Sequence, residues 1–462
     1  MKSQRGAEIS IFSLCSSVFS VVNSFSGVIM KINVYELEKL SAEEISKILR
    51  RSELDIENFQ DVVRPIIQDI RETGDQAIIK YCEKFDKVKL EPSRLKVTEA
   101  EFARARENLD PSIKEVIETS AWNIRKFHQA QMPEDMWFTQ IDEGIMAGEK
   151  ITPIISVGIY VPRGKGSFPS VMLMLCIPAV IAQVPNVIVC TPPTPGGGVD
   201  DASLFTAELC GIRNIFKVGG SQAIAAMAFG TETVPRMDKV LGPGNAYVSA
   251  AKRLLYGRID VGTPAGPSES IILCDENADP RIAALDLLIE AEHGPDSTAL
   301  LVTHSRELAA KAEAILPELV NDLPAERREF CQTVFSNYGG IVLTSDLEAS
   351  LRFVNDFAPE HLEVLVDEPM TVLAKIRNAG EILLGQHTPI TVGNYSLGVN
   401  AILPTGGFAK TFSCVTVYDF LKRSSIGYMT KQGYDKLSET ARKFAEYEGF
   451  PSHANAIAKR NL

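Results

Sequence analysis

The chain has 462 residues, 45% of them hydrophobic and 23% charged, enough to bury the cores of two or three soluble domains. Its 47 Lys and Arg against 59 Asp and Glu leave a net charge of −12. No basic cluster relieves that charge, which argues against nucleic acid or an anionic membrane as partner and favours a small molecule.

In chain order, Met1 to Arg5 is basic and precedes a Ser-rich apolar run through Ile29. That pattern is signal-like, but no A-x-A cleavage site follows, and Met30 to Val34 opens an ordinary domain. Residues 1–30 are therefore read as an extension, either a targeting segment or the product of an upstream start. Nothing later reaches the roughly 18 uninterrupted apolar residues that a membrane span needs. From Leu40 to about Gln131 the pattern is helical: Ser41 with Glu44 and Thr98 with Glu101 are capping-box pairs, and Asp110-Pro111 is a cap followed by a first-turn proline. From about Ile151, β-rich runs alternate with helical segments: Val157 to Val161, Asn186 to Cys190, Asn214 to Val218, Ser270 to Cys274, Ala299 to Thr303, Gly340 to Leu343 and Glu381 to Leu384. Such alternation predicts an α/β class with two parallel sheets. After Gly406 the chain is expected to end in a helical tail. Eight cysteines, none in a C-x-x-C pair, read as reduced thiols of a cytoplasmic protein.

Three glycine-containing turns fall outside the carboxyl ends of predicted strands, where α/β proteins bind ligands. They are Tyr160 to Ser167, with Arg163 and Lys165; Val218 to Ala226, with Gly219, Gly220 and Gln222; and Gly242 to Val248, with Asn245. Free amides at such helix starts suit a diphosphate, although none matches G-x-G-x-x-G and each also reads as an ordinary connection.

Asp286 to Ser297 reads as the end of an amphipathic helix closed by Gly294 and Pro295. Glu290 and His293, three apart, share a face, with Asp286 a turn earlier. They read either as a metal-ligating pair or as a helix end with a favourably placed histidine.

Pro264 to Glu269, Asp286 to Ser297 and Ala358 to Glu363 together resemble the histidinol dehydrogenase family, over Val34 to Ala458. The resemblance implies a Zn2+- and NAD-dependent homodimer that oxidises a primary alcohol through the aldehyde to the carboxylate. It further implies two incomplete Rossmann-like domains with small helical N- and C-terminal additions, in a domain-exchanged dimer. The expected boundaries are 31–157 plus 269–405 for a domain with metal and catalytic residues, 158–268 for an NAD-binding domain, and 406–462 for a tail that completes the partner subunit's site.

Position by position, the resemblance makes His361 the base for the alcohol proton and Glu360 the carboxylate that activates water, chemistry an imidazole and a carboxylate can perform. Being adjacent, they face one site only if the backbone bends, as Pro359 would allow. The implied metal ligands are Glu290, His293, Asn394 and His453; NAD falls to Tyr160, Gln222 and Asn245, the tyrosine ring being expected to cover a base or ribose; substrate contacts add Ser268 and Glu448 to His361 and the four metal ligands. His128, His304 and His387 are read as structural.

Three positions depart from the family pattern. Glutamine is usual at Glu290 and aspartate at Asn394, so the first shell keeps one carboxylate and one amide beside two imidazoles. Ala401 stands where histidinol-specific members carry a histidine, so the substrate is expected to be histidinol or a different small polar alcohol, as in the sulfopropanediol dehydrogenases. An exported two-lobed binding protein is the rival from another class.

Overall fold

The computed structural model describes residues 30–51, 56–163, 166–264 and 266–460. The extension before Met30, and Lys165, lie outside the described residues. Contacts divide the chain into two units: residues 1–54, 264–393 and 403–413 in the first, residues 55–263, 394–402 and 414–462 in the second.

The first unit is built on a six-stranded parallel sheet. In spatial order its strands are Val34–Glu36, Gly340–Leu343, Thr298–Thr303, Glu269–Cys274, His361–Leu365 and Glu381–Leu384. Strands run outward in one direction from Glu269–Cys274, then resume on its other side with His361–Leu365. This is the winding of a doubly wound α/β sheet with one extra strand at its far edge. Both faces are covered: Ile272, Leu301 and Ile341 pack with the helices Pro280–Ala291 and Arg306–Asn321, and Ile271, Leu300 and Val342 with Leu347–Phe357. A sheet covered twice needs apolar residues at nearly every position, which is why most of its strands stand out in the sequence.

The second unit has a four-stranded parallel sheet, Ile215–Lys217, Asn186–Thr191, Ser156–Tyr160 and Lys239–Leu241. Its winding is that of half a Rossmann fold. A separate antiparallel sheet joins Leu421–Met429, Ile145–Pro153 and Met136–Asp142. The helices announced by Thr98-Glu101 and Asp110-Pro111 form as read, with the side-chain caps made; so does the one begun by Ser41-Glu44 in the first unit.

Three expectations change. Residues 56–157, assigned from the sequence to the first domain, share cores with the four-stranded sheet, because Val63, Ile66 and Ile70 pack against Ala225 and Ala251, and Phe102 and Ile117 against Met172 and Leu175. The tail is not wholly helical: Leu421–Met429 forms a strand before the helices Lys431–Tyr447 and Pro451–Ala458. The Pro280–Ala291 helix is not amphipathic in the expected sense, since Leu285 is 46% exposed while Asp286 and Glu290 are buried.

Among the described residues no helix is long and apolar enough to cross a membrane. Cys82, Cys176, Cys190, Cys210, Cys274 and Cys331 are free and buried.

Candidate active site

The polar centre of the first unit lies at the amino ends of its strands. His361 and Glu381 are the first residues of neighbouring strands and directly paired, so their side chains leave the same face. Glu269 begins the strand on the other side, with Ser268 just before it. Both His361 and Glu363 face the Pro280–Ala291 helix, meeting Glu290 and Asp286 respectively. The match is metrical: two strand residues advance about 6.6 Å and four helical residues about 6 Å, so an i,i+2 pair on the strand meets an i,i+4 pair on the helix.

The bend expected before His361 is present. Helix Leu347–Phe357 ends in Ala358, held at φ +53°, a left-handed conformation that is costly for a residue with a Cβ. Arg51 stabilises this turn: it donates to the Phe357 and Ala358 carbonyls, lies 3.6 Å over the Phe357 ring and pairs at 3.2 Å with buried Glu269. Glu360 consequently turns inward. One carboxylate oxygen accepts the Glu269 N–H at 2.9 Å and the other lies 4.0 Å from His361 Nε2.

His361 Nδ1 is 2.8 Å from Glu381 Oε2, and Nε2 is 3.8 Å from Glu290 Oε1. Burial alone would lower the pKa of this imidazole, but the carboxylates of Glu290, Glu381 and Glu360 overcome it and raise it to about 9. Burial raises the Glu360 carboxyl, opposed by His361 and reinforced by Glu290. Burial also raises Glu269 to about 7, opposed chiefly by Arg51. Further along, Asp286 and Glu363 sit within hydrogen-bonding reach of each other, and burial raises both carboxyls.

Glu290 lies in the last turn of its helix and His293 follows the cap, Glu292. Their side chains meet, Nδ1 to Oε2 at 3.1 Å, and Nδ1 also lies 3.0 Å from the Ile289 carbonyl. A backbone carbonyl at Nδ1 fixes the proton there and turns Nε2 into the ligating nitrogen, the arrangement usual for metal-bound histidine. Carboxylate oxygen and imidazole nitrogen are donor types that zinc accepts. Asn394, half-buried on the helix Ile390–Tyr395, and exposed His453, on Pro451–Ala458, belong to the second unit. Among the described residues no group of three or more His, Cys, Asp or Glu is arranged to hold a metal ion.

In the second unit the three glycine turns follow the carboxyl ends of the strands, as expected. Tyr160 ends its strand, but its ring is buried and its hydroxyl accepts the Gly220 N–H at 3.0 Å. It supports the turn from within and offers no open ring face to a base, a correction to the sequence reading. Gln222 is buried, and among the described residues its Oε1 has no hydrogen-bond partner. Asn245 caps the helix Ala246–Leu255, Oδ1 accepting from Tyr247 and Val248, which leaves its Nδ2 to donate elsewhere. Gly242, at φ +124°, comes so close to Tyr160 that a Cβ there would lie 1.9 Å from its carbonyl oxygen. Glu448 is exposed just past the Lys431–Tyr447 helix. Ala401 packs against the apolar core around Met174.

Sequence reasoning missed Arg51, Glu269 and Glu381. Glu269 closes the Pro264 to Glu269 stretch but was given no role there, and Arg51 and Glu381 belong to no motif; the available signal for the two glutamates was a carboxylate at the start of a strand that otherwise reads as buried.

The description "Histidinol dehydrogenase" matches residues 49–461. A histidinol dehydrogenase of Synechocystis is 50% identical over 92% of this chain and 98% of its own length. A protein of Colwellia psychrerythraea named histidinol dehydrogenase homolog is 51% identical over 93% and 96%. The crystal structure of histidinol dehydrogenase from Elizabethkingia anophelis superposes with a TM-score of 0.87 at 34% identity, covering 93% of this chain and 97% of that one.

Proposed function

We propose, for a chain that belongs to the histidinol dehydrogenase family and is an oxidoreductase acting on CH-OH with NAD, that it oxidises a small polar primary alcohol through the aldehyde to the carboxylate in a cytoplasmic, zinc-containing homodimer. The observation that carries this reading is the buried cluster in which Glu360 and Glu290 converge on His361 Nε2. Zinc would be held by Glu290, His293, Asn394 and His453, and NAD by Gln222 and Asn245, with Tyr160 bracing the turn at Gly220 from within. When bound, the metal supplies a Lewis acid for the alcohol oxygen and NAD the hydride acceptor.

The chain's own groups handle protons. His361 Nε2 takes the hydroxyl proton as hydride leaves the carbon. In the second half Glu360 takes a proton from the water that adds to the aldehyde, and the hydrate then loses the second hydride. Three carboxylates around His361 favour its charged form; a cation held by Glu290 would supply compensating charge beside Nε2. Ser268 and Glu448 would contact substrate. Shared sites in a dimer are supported by an apolar surface that one chain leaves uncovered: Trp137, Ile141, Tyr428, Phe444 and Tyr447 are all exposed.

A second reading within the same chemistry is a sulfopropanediol dehydrogenase. Ala401 favours it, having no polar group to offer an imidazole, as do relatives named only as homologs. Assaying NADH formation with histidinol and with dihydroxypropanesulfonate, before and after chelation and zinc repletion, tests both. We expect zinc-dependent turnover of at least one; no NADH from any small polar alcohol in the presence of zinc would overturn the reading.

A further inference from the structure

His361 can be a base at Nε2 only if its proton in the neutral form stays on Nδ1, and the fold provides for that one bond. The parallel pairing sets Glu381 directly opposite His361. Glu381 N–H donates to the Glu360 carbonyl at 2.9 Å, which ties the start of its strand to the segment carrying both catalytic groups. Gly393 leaves room for the Glu381 carboxylate: a Cβ there would come within 2.9 Å of Oε1. The result is a buried contact of 2.8 Å between Oε2 and Nδ1, with Nε2 turned toward Glu290 and Glu360.

We propose that Glu381 is the positioning residue that fixes the tautomer and ring orientation of His361. The inference rests on the reading of His361 as the base. Glu381 has no direct part in the chemistry: it reaches the reaction only through the imidazole, as the carboxylate behind a catalytic or metal-bound histidine does. Water could satisfy Nδ1 in an exposed site, but this ring is buried and a neutral partner could accept or donate, leaving the tautomer undecided.

Glu381→Gln keeps the volume and removes the obligatory acceptor. With histidinol or dihydroxypropanesulfonate, whichever the wild type turns over, kcat should fall about 10- to 100-fold with KM and bound zinc little changed, and Glu381→Asp should recover part of it. Ring 15N shifts of His361, assigned by their loss in His361→Asn, should show the neutral ring protonated at Nδ1 in the wild type and shifted toward Nε2–H in Glu381→Gln. An Nε2–H wild-type ring, or unchanged kcat and shifts in Glu381→Gln, would overturn the proposal, and the wild-type spectrum decides even if a variant does not fold. If His361→Asn itself retains turnover, it is the reading of the base that fails; loss there without loss in Glu381→Gln removes only the role of Glu381.

Discussion

The two units use opposite edges of their sheets. In the second, ligand-type turns lie beyond the carboxyl ends of the strands, where the helices Gly220–Phe229 and Ala246–Leu255 begin. In the first, the polar cluster sits at the amino ends, where the helices Pro280–Ala291 and Leu347–Phe357 finish. A helix start carries partial positive charge and free N–H groups, and a helix end partial negative charge and free carbonyls. One edge is thus preset for an anion such as a diphosphate and the other for cations and N–H donors: the Arg51 guanidinium lies on the Phe357 carbonyl and the His293 ring nitrogen on the Ile289 carbonyl. The general preference of α/β sheets for the carboxyl edge suits phosphates; the acid-base and metal chemistry proposed for this chain would occupy the other.

The contrast predicts different ways to break each edge. The first should fail through charge and proton transfer. His361→Asn should lower kcat by about 10² to 10⁴, the range of a lost general base, with zinc retained; turnover at the wild-type rate would remove the catalytic role from this edge. The second should fail through the backbone. Gly242→Ala demands a Cβ where the Tyr160 carbonyl stands, at a φ that side chains rarely adopt, and should cost on the order of 3 kcal/mol in chemical denaturation with weakened NAD binding. Unchanged stability would show that the close approach is not required.

A smaller effect sharpens the comparison. Asp86, whose charge is felt by Tyr160, is raised by burial to about 6, opposed by the Cys82 thiol and Arg163. Because the folded chain then binds this proton more tightly than the unfolded one, stability due to Asp86 is full below about pH 4 and lost as pH rises to about 6. In Asp86→Asn that component should vanish, so melting temperatures across pH 4 to 7 should decline less than in the wild type; an identical slope would mean that Asp86 titrates normally.

Much of the fold was legible because it is written locally. Two capping boxes and Asp110-Pro111 fixed helix starts through side-chain hydrogen bonds within a turn, and apolar runs such as Ala299 to Thr303 announced doubly covered strands. His361–Leu365 was harder to recognise as a strand because His361 and Glu363 interrupt its apolar run, although both are buried. Lys239–Leu241 is short and begins with a lysine, and Met136–Asp142 is exposed throughout, so neither carries a burial signal.

For the site, Glu290, His293, Glu360 and His361 could be named from type, spacing and resemblance, and the sequence alone determined that they exist in the right order. It also determined the α/β class and the glycines on which the nucleotide-type turns depend. What only the tertiary structure decided is which groups face His361: Glu381 arrives through strand register, Glu269 from a strand some 90 positions earlier, and Arg51 from the end of a distant helix. Register and packing are set by burial over the whole sheet, and a residue's neighbours along the chain carry no record of them.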